Sequence, residues 1–408
     1  MDATVLPASP NPAGSGSAAA LLAGFLGWTL DAFDFFLVVL CLTDIGRDFH
    51  KSDADVAFSI TLTLAFRPVG AFLFGLLADR YGRRLPLMLD LIFYSIVEVC
   101  TGLAHTYGQF LCLRALFGIG MGGEWGVGAS LVMEKVPPKL RGVLSGLLQE
   151  GYAAGNLLAA LAYRFIFPHW GWRPLFFLGG LPALLALFVR FGIRESEVWE
   201  RTRSRDWRSL WRNIVACWPL FIYLVCLMAM LNFSSHGTQD MYPTFLKRDW
   251  HFTPQMKANL TAFTMVGAIS GGVVFGLASD VIGRRKAMII AFAAALLLIP
   301  LWAFAKTLPL LVAGGFLMQF MIQGAWGVIP AYITELSPDA VRGFLPGFAY
   351  QCGVLIAGSV TWFEALLAGS MSYATAMASC AAVILVLAIV VVSLGQEKRG
   401  VVFGTVQG

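Results

Sequence analysis

Polar residues in this chain sit in short intervals between long apolar stretches, and the stretches run for about 20 residues each, the length that crosses a hydrocarbon core. Twelve fall near 19–43, 55–78, 85–104, 107–133, 141–166, 172–192, 213–246, 254–279, 285–305, 308–333, 342–366 and 372–394. Runs of that length predict transmembrane helices and an all-α membrane protein. The seventh is overlong, which predicts a tilt or a break. Residues 1–18, rich in Ala, Gly, Ser and Pro, hold no Lys or Arg. They lack the charged start of a signal peptide and read as a disordered tail.

Composition agrees: 58% of residues are hydrophobic and 13% charged, against roughly 25% charged in soluble domains. The excess of 29 Lys and Arg over 24 Asp and Glu is small and unclustered, so no nucleic-acid surface is expected. Seven scattered cysteines show neither metal-ligand nor disulfide spacing. No metal site, cofactor motif or phosphate-cradling GxxxxGK[ST] is found, which argues against an ATP-driven pump.

Loop charge orients the bundle. Loops on the side of both termini hold 19 of the 29 basic residues, the opposite loops seven, and Arg67, Arg114 and Arg164 lie within or at the end of spans. The positive-inside rule then predicts cytoplasmic termini in the cell inner membrane. The halves also repeat at an offset of 201 residues. GLLADRYGRR from Gly75 matches GLASDVIGRR from Gly276, and Trp125, Glu134, Pro137 and Arg141 match Trp326, Glu335, Pro338 and Arg342. The expected organisation is a tail (1–18), a six-helix bundle (19–192), a basic linker (193–212), a second six-helix bundle (213–394) and a tail (395–408). The linker's six arginines suit a helix on an anionic leaflet. Parallel six-span halves form a known transporter plan with a site between them.

On these motifs, with RALFGIGMGGEWG in span four, the chain resembles the major facilitator superfamily over essentially its full length. LDAFDFF in span one narrows the resemblance to proton-coupled organic anion symporters, the sialate, lactate and aromatic acid carriers. The stretch NFSSHGTQDMYPTF narrows it again. Asn232, Ser235, His236, Thr238, Gln239, Asp240 and Thr244 fill the seventh-helix signature of fungal and bacterial lactate/pyruvate:proton symporters. One departure stands: Tyr350-Gln351-Cys352-Gly353-Val354 has Val354 where those carriers tend to have Asn. The resemblance implies a pseudo-symmetric twelve-helix symporter acting on a small organic anion and a proton, with no cofactor. A monomer in the lipid bilayer is expected.

Charge within a span is costly, which makes each such residue a functional candidate. Arg67, midway along span two, offers a planar fork that grips a carboxylate and stays charged through a proton cycle. The bland alternative is an ion pair with Asp31 or Asp34. Arg114 fits a structural or coupling role better than substrate contact. Asp31 and Asp34 share a helix face, and two close carboxylates cannot both ionise cheaply, so at least one is a proton-carrier candidate. Asn232, Ser235, His236, Gln239 and Asp240 form one helical stripe that must face a cavity or another helix. Asn232 and Gln239 offer donors to a carboxylate, His236 is both a substrate-contact candidate and, with Asp240, half of a protonatable pair, and Pro243 offers a hinge. The alternative is a packing seam. By the offset, Asn232 and Ser235 fall on Asp31 and Asp34, so the two sets are expected to face each other. Gln351 is a substrate-contact candidate, and its counterpart Glu150 a proton-coupling one. The faces of Glu98 and Glu364 are not readable. Asp79, Arg83, Asp280 and Arg284 are expected to cap helix ends and latch the outward-open state.

The leading reading is uptake of a short monocarboxylate with a proton. The same machine acting on sialate, shikimate or an aromatic acid comes second. A transporter-like sensor would need an appended domain, and an enzyme sizeable ordered loops; the longest loop here is about twenty residues.

Overall fold

The structure, a computed structural model, describes residues 15–204, 206–358, 367 and 370–404. The extreme ends of both expected tails, the last part of the eleventh span and Glu364 lie outside the described residues. Every regular element among those described is helical, as the long apolar runs predict. The first four spans are α1 (Ser15–Asp48), α2 (Asp53–Tyr81), α3 (Arg84–Gly102) and α4 (Tyr107–Lys135). The fifth is α5 (Arg141–Gln149) with α6 (Gly151–Trp170), and the sixth is α7 (Arg173–Leu178) with α8 (Pro182–Gly192). Two short helices, α9 (Glu197–Thr202) and α10 (Trp207–Ala216), occupy the linker. The second half runs through α11 (Trp218–Gln239), α12 (Tyr242–Arg248), α13 (Pro254–Ile282), α14 (Arg284–Ala303), α15 (Leu308–Leu336), α16 (Leu345–Ala357) and α17 (Tyr373–Leu394).

The overlong seventh run is broken. α11 ends at Gln239, and Pro243 sits in the first turn of α12, where its missing N–H costs nothing. Residues 213–216 belong to α10, so the span starts later than the apolar run. Helix starts repeat with the sequence. Ser52 caps α2 and Thr253, at the 201-residue offset, caps α13; each side chain accepts a hydrogen bond from the third residue on.

Within the first half α1 packs on α4 and α6, and α2 on α4. Within the second, α13 and α14 pack on α15, and α11 on α16 and α17. Between the halves, α5 packs on α13 and α15, and α16 on α2 and α4. The α2–α4 contact fixes the candidate arginine. A Cβ on Gly122 of α4 would lie 1.9 Å from the Arg67 carbonyl oxygen, so only glycine lets the two backbones meet there. Large apolar side chains such as Phe191, Leu297 and Val281 face outward, as a lipid-facing surface requires.

Candidate functional site

A cavity of about 650 Å³ lies between the halves, within the usual range for small-molecule sites. Arg67 lines it from α2, and among the described residues no carboxylate lies within ion-pair distance of its guanidinium. The side chain is buried, with Nε and Nη2 lacking a hydrogen-bond partner. It lies instead against Tyr350 of α16, the guanidinium carbon 5.8 Å from the ring centroid. The expected alternative, an ion pair with Asp31 or Asp34, is not formed. Arg114 differs: its Nη2 donates to Glu98 at 2.7 Å and to Thr101 at 2.7 Å, all three buried, and it does not line the cavity.

The seventh-helix stripe faces the same space. Asn232, Ser235, His236, Thr238, Gln239 and Asp240 all line it, as does Pro243. His236 Nδ1 lies 3.2 Å from Asp240 Oδ2, and the pair remains 43% and 36% exposed. Asn232 and Gln239 are less free as donors than the sequence implies. Asn232 Nδ2 donates to the Met228 carbonyl at 2.7 Å. Gln239 Nε2 donates to Gln319 at 2.8 Å and to Ser235 at 3.2 Å.

Three expected residues are not at the cavity. Asp31 and Asp34 are fully buried inside the first half, and none of their carboxylate oxygens has a hydrogen-bond partner among the described residues. The charges acting on Asp31 are those of Arg67 and Glu98, and on Asp34 those of Glu98, Asp31 and Arg114. The predicted facing of Asn232 and Ser235 by Asp31 and Asp34 therefore fails. The reason is helix rotation: α1 turns Phe35 and Phe36 to the cavity and its aspartates toward the interior of its own half. Gln351 is likewise buried away from the cavity, without a partner for its amide among the described residues, while Val354 lines it. Glu150, at the one-residue interruption between α5 and α6, lines it too.

The end of the bundle that carries the GRR loops is closed by two repeat-related clusters. Asp79 accepts from the backbone N–H of Gly343 at 2.7 Å and of Phe344 at 3.0 Å. Asp280 accepts from those of Gly142 and Val143 at 2.9 and 3.0 Å. Each aspartate thus ties its own half to the opposite one. Arg83 pairs with Asp79 at 2.6 Å and Glu134 at 3.0 Å; Arg284 pairs with Asp280 at 2.7 Å and Glu335 at 3.0 Å. Burial alone would pull the Arg83 guanidinium down, but Glu134 and Asp79 outweigh it and hold Arg83 above its ordinary range.

Sequence reasoning missed Gln319 and Gln323 of α15, which line the cavity and hold Gln239 and Ser235. It also missed Asp90 and Glu124, two carboxylates buried within the first half, with no side-chain hydrogen-bond partner among the described residues. The rule that selected Arg67, charge inside a span, applies equally to both. Aromatic walls formed by Trp28, Phe36, Tyr152, Trp326 and Tyr350 went unnoticed as well.

The chain matches the family described as "Major Facilitator Superfamily" over residues 24–241 and 241–402. It is 28% identical over 371 residues to a "Carboxylic acid transporter protein homolog" of Saccharomyces cerevisiae, covering 85% of this chain and 60% of that one. The chain therefore spans less than two thirds of that relative's length. It is 31% identical over 392 residues to a "Probable 4-methylmuconolactone transporter" of Cupriavidus pinatubonensis, covering 92% and 90%. Its fold is similar to that of the proton:xylose symporter XylE, with a TM-score of 0.80 at 17% identity and coverage of 96% and 98%.

Proposed function

We propose that this chain, which belongs to the major facilitator superfamily, is a proton-coupled symporter of short monocarboxylates such as lactate and pyruvate, working by alternating access. The observation that carries this reading is Arg67, a buried guanidinium on the cavity wall with no ion pair among the described residues. A buried cation costs several kcal/mol unless a counter-charge meets it, by roughly the usual desolvation figures. A substrate carboxylate is the counter-charge that the cavity can admit. The His236–Asp240 pair supplies an exchangeable proton on the same wall. The buried carboxylates Asp31 and Asp34 of α1 provide a second place for it in this reading.

In this reading the halves 19–192 and 213–394 rock about the cavity, and Asp79, Arg83, Asp280 and Arg284 hold the GRR face shut. That face is cytoplasmic by its loop charge, and the chain works as a monomer in the cell inner membrane. The yeast relative is named for carboxylic acid transport, which supports the substrate class.

A second reading, symport of a larger planar or aromatic acid, is favoured by the cavity's walls. Trp28 and Tyr152 stack at 5.4 Å, and Trp326 meets Tyr350 at 5.8 Å. Such faces suit a conjugated ring, and about 650 Å³ is several times what a three-carbon acid fills. A competition panel in proteoliposomes decides between them, with labelled lactate against pyruvate, acetate, sialate and benzoate. Displacement by pyruvate but not benzoate upholds the first reading. The reverse order upholds the second, and uptake of none of the acids rejects both.

A further inference from the structure

The segment after the last helix crosses the closed GRR face, and its Phe403 side chain is buried there. The ring lies between two guanidiniums, with the Arg141 carbon 3.6 Å and the Arg342 carbon 3.7 Å from its centroid. Those arginines are 201 residues apart, one from each half. Each also reaches a carboxylate of the other half: Arg141 meets Glu335 at 3.6 Å, and Arg342 meets Glu134 at 3.7 Å. Phe403 therefore occupies the seam between the halves, one ring between two repeat-related cations. Its position 201 residues earlier is Thr202, which cannot take that role.

The neighbouring backbone is fixed to both halves as well. Arg141 Nη1 donates to the Val401 carbonyl at 2.6 Å, and the Gly404 N–H donates to Asp339 at 2.9 Å. Phe403 belongs to an apolar cluster that includes Val132, Met133 and Leu148 of the first half and Ala331 of the second.

We propose that residues 401–404 form a strap that clamps the GRR face shut, with Phe403 as its anchor, and that this strap must leave before the face opens. The inference rests on the alternating-access reading, because separating the halves pulls Arg141 from Arg342 and no single ring can then stack on both. Two cation–π contacts and a cross-half apolar contact are lost together in that step. The strap thus sets how often the face opens, independently of what the cavity carries.

Hydrogen–deuterium exchange on the full chain in lipid nanodiscs, without added substrate, tests this. Phe403→Ala is expected to speed amide exchange by about tenfold in both 139–146 and 340–347, a factor that follows from losing contacts of ordinary cation–π strength. Phe403→Trp keeps a ring between the arginines and should exchange like the parent. Residues 107–113, at the opposite end of the bundle, should be unchanged in both variants. Unaltered exchange in the two gate segments overturns the proposal. So does an equal rise at 107–113, which marks general loosening. Because no substrate is present, a failed transport assay leaves this result standing, and the converse also holds.

Discussion

Arg67 of α2 and Tyr350 of α16 meet across the seam between the halves, a cation facing the π-surface of a ring at 5.8 Å with no carboxylate in ion-pair range among the described residues. The ring lies against the guanidinium without neutralising its charge, and in the proposed reading a substrate carboxylate supplies the counter-charge. Arg67→Ala is expected to abolish binding of the transported acid. Loss of a two-pronged charged contact at roughly 1.5–3 kcal/mol per hydrogen bond predicts a weakening of at least about a hundredfold. Arg67→Lys should rescue poorly, since a single ammonium lacks the fork. Equilibrium binding on purified protein checks this, and retained affinity in Arg67→Ala would place the anion elsewhere.

Arg114 should behave in the opposite way. Its partner Glu98 is buried beside it at 2.7 Å, and stranding one member of such a pair costs about 3–5 kcal/mol. Arg114→Met alone should lower thermal stability sharply, and Arg114→Met with Glu98→Gln should recover part of it. A double variant no more stable than the single would mean that the two do not form a structural unit.

What the sequence could reveal followed from its repeat, and what it hid lay where the repeat breaks. Helix starts at Ser52 and Thr253, the GRR clusters and the paired Gly142 and Gly343 contacts are all related by 201 residues, so each half predicted the other. Arg67 falls on Ala268, Asp90 on Ala291, Glu124 on Ala325, and Gln319 and Gln323 on Gly118 and Gly122. None has a counterpart of its own kind. Arg67 was still found, because charge inside a span is conspicuous. Gln319 and Gln323 were not, because neutral amides carry no such signal. Rotation was the other hidden variable. Asp31 and Asn232 share a repeat position, yet only Asn232 lines the cavity; a half-turn of helix facing depends on neighbours that a one-dimensional pattern does not encode.

The closed face makes a symmetric prediction. Asp79 receives two cross-half backbone N–H groups and Asp280 two more. Asparagine keeps one acceptor oxygen and turns an amino group toward donors, so at least one charge-assisted bond is lost, worth roughly 1.5–3 kcal/mol. Asp79→Asn and Asp280→Asn should each shift the resting population toward opening at that face and slow net uptake to similar extents. Uptake rates in proteoliposomes measure this. An effect confined to one of the two would reject the repeat-related latch.

Coupling to protons predicts that lactate uptake rises as external pH falls and collapses when a protonophore dissipates the gradient. A sodium gradient at constant pH should not replace it. Sodium-driven uptake under those conditions would exclude the proton reading whatever the substrate.

The seventh-helix stripe separates substrate contact from proton handling within a single wall of the cavity. Asn232 and Gln239 do not titrate, so Asn232→Ala and Gln239→Ala should weaken binding at every pH. The loss at Gln239 includes the anchor it gives to Gln319 and Ser235. His236 and Asp240 carry ionisable groups, and their contact at 3.2 Å is open to water. His236→Gln and Asp240→Asn should instead distort the pH dependence of net uptake, with smaller losses in equilibrium binding. Lactate-for-lactate exchange needs no net proton movement, so it should survive better than uphill uptake in those two variants. If the stripe were only a packing seam, all four variants would lose thermal stability in step with activity and show no pH signature. Stability, binding and the pH profile measured side by side on the four purified variants distinguish the two roles. A common fall in stability would remove the stripe from the site.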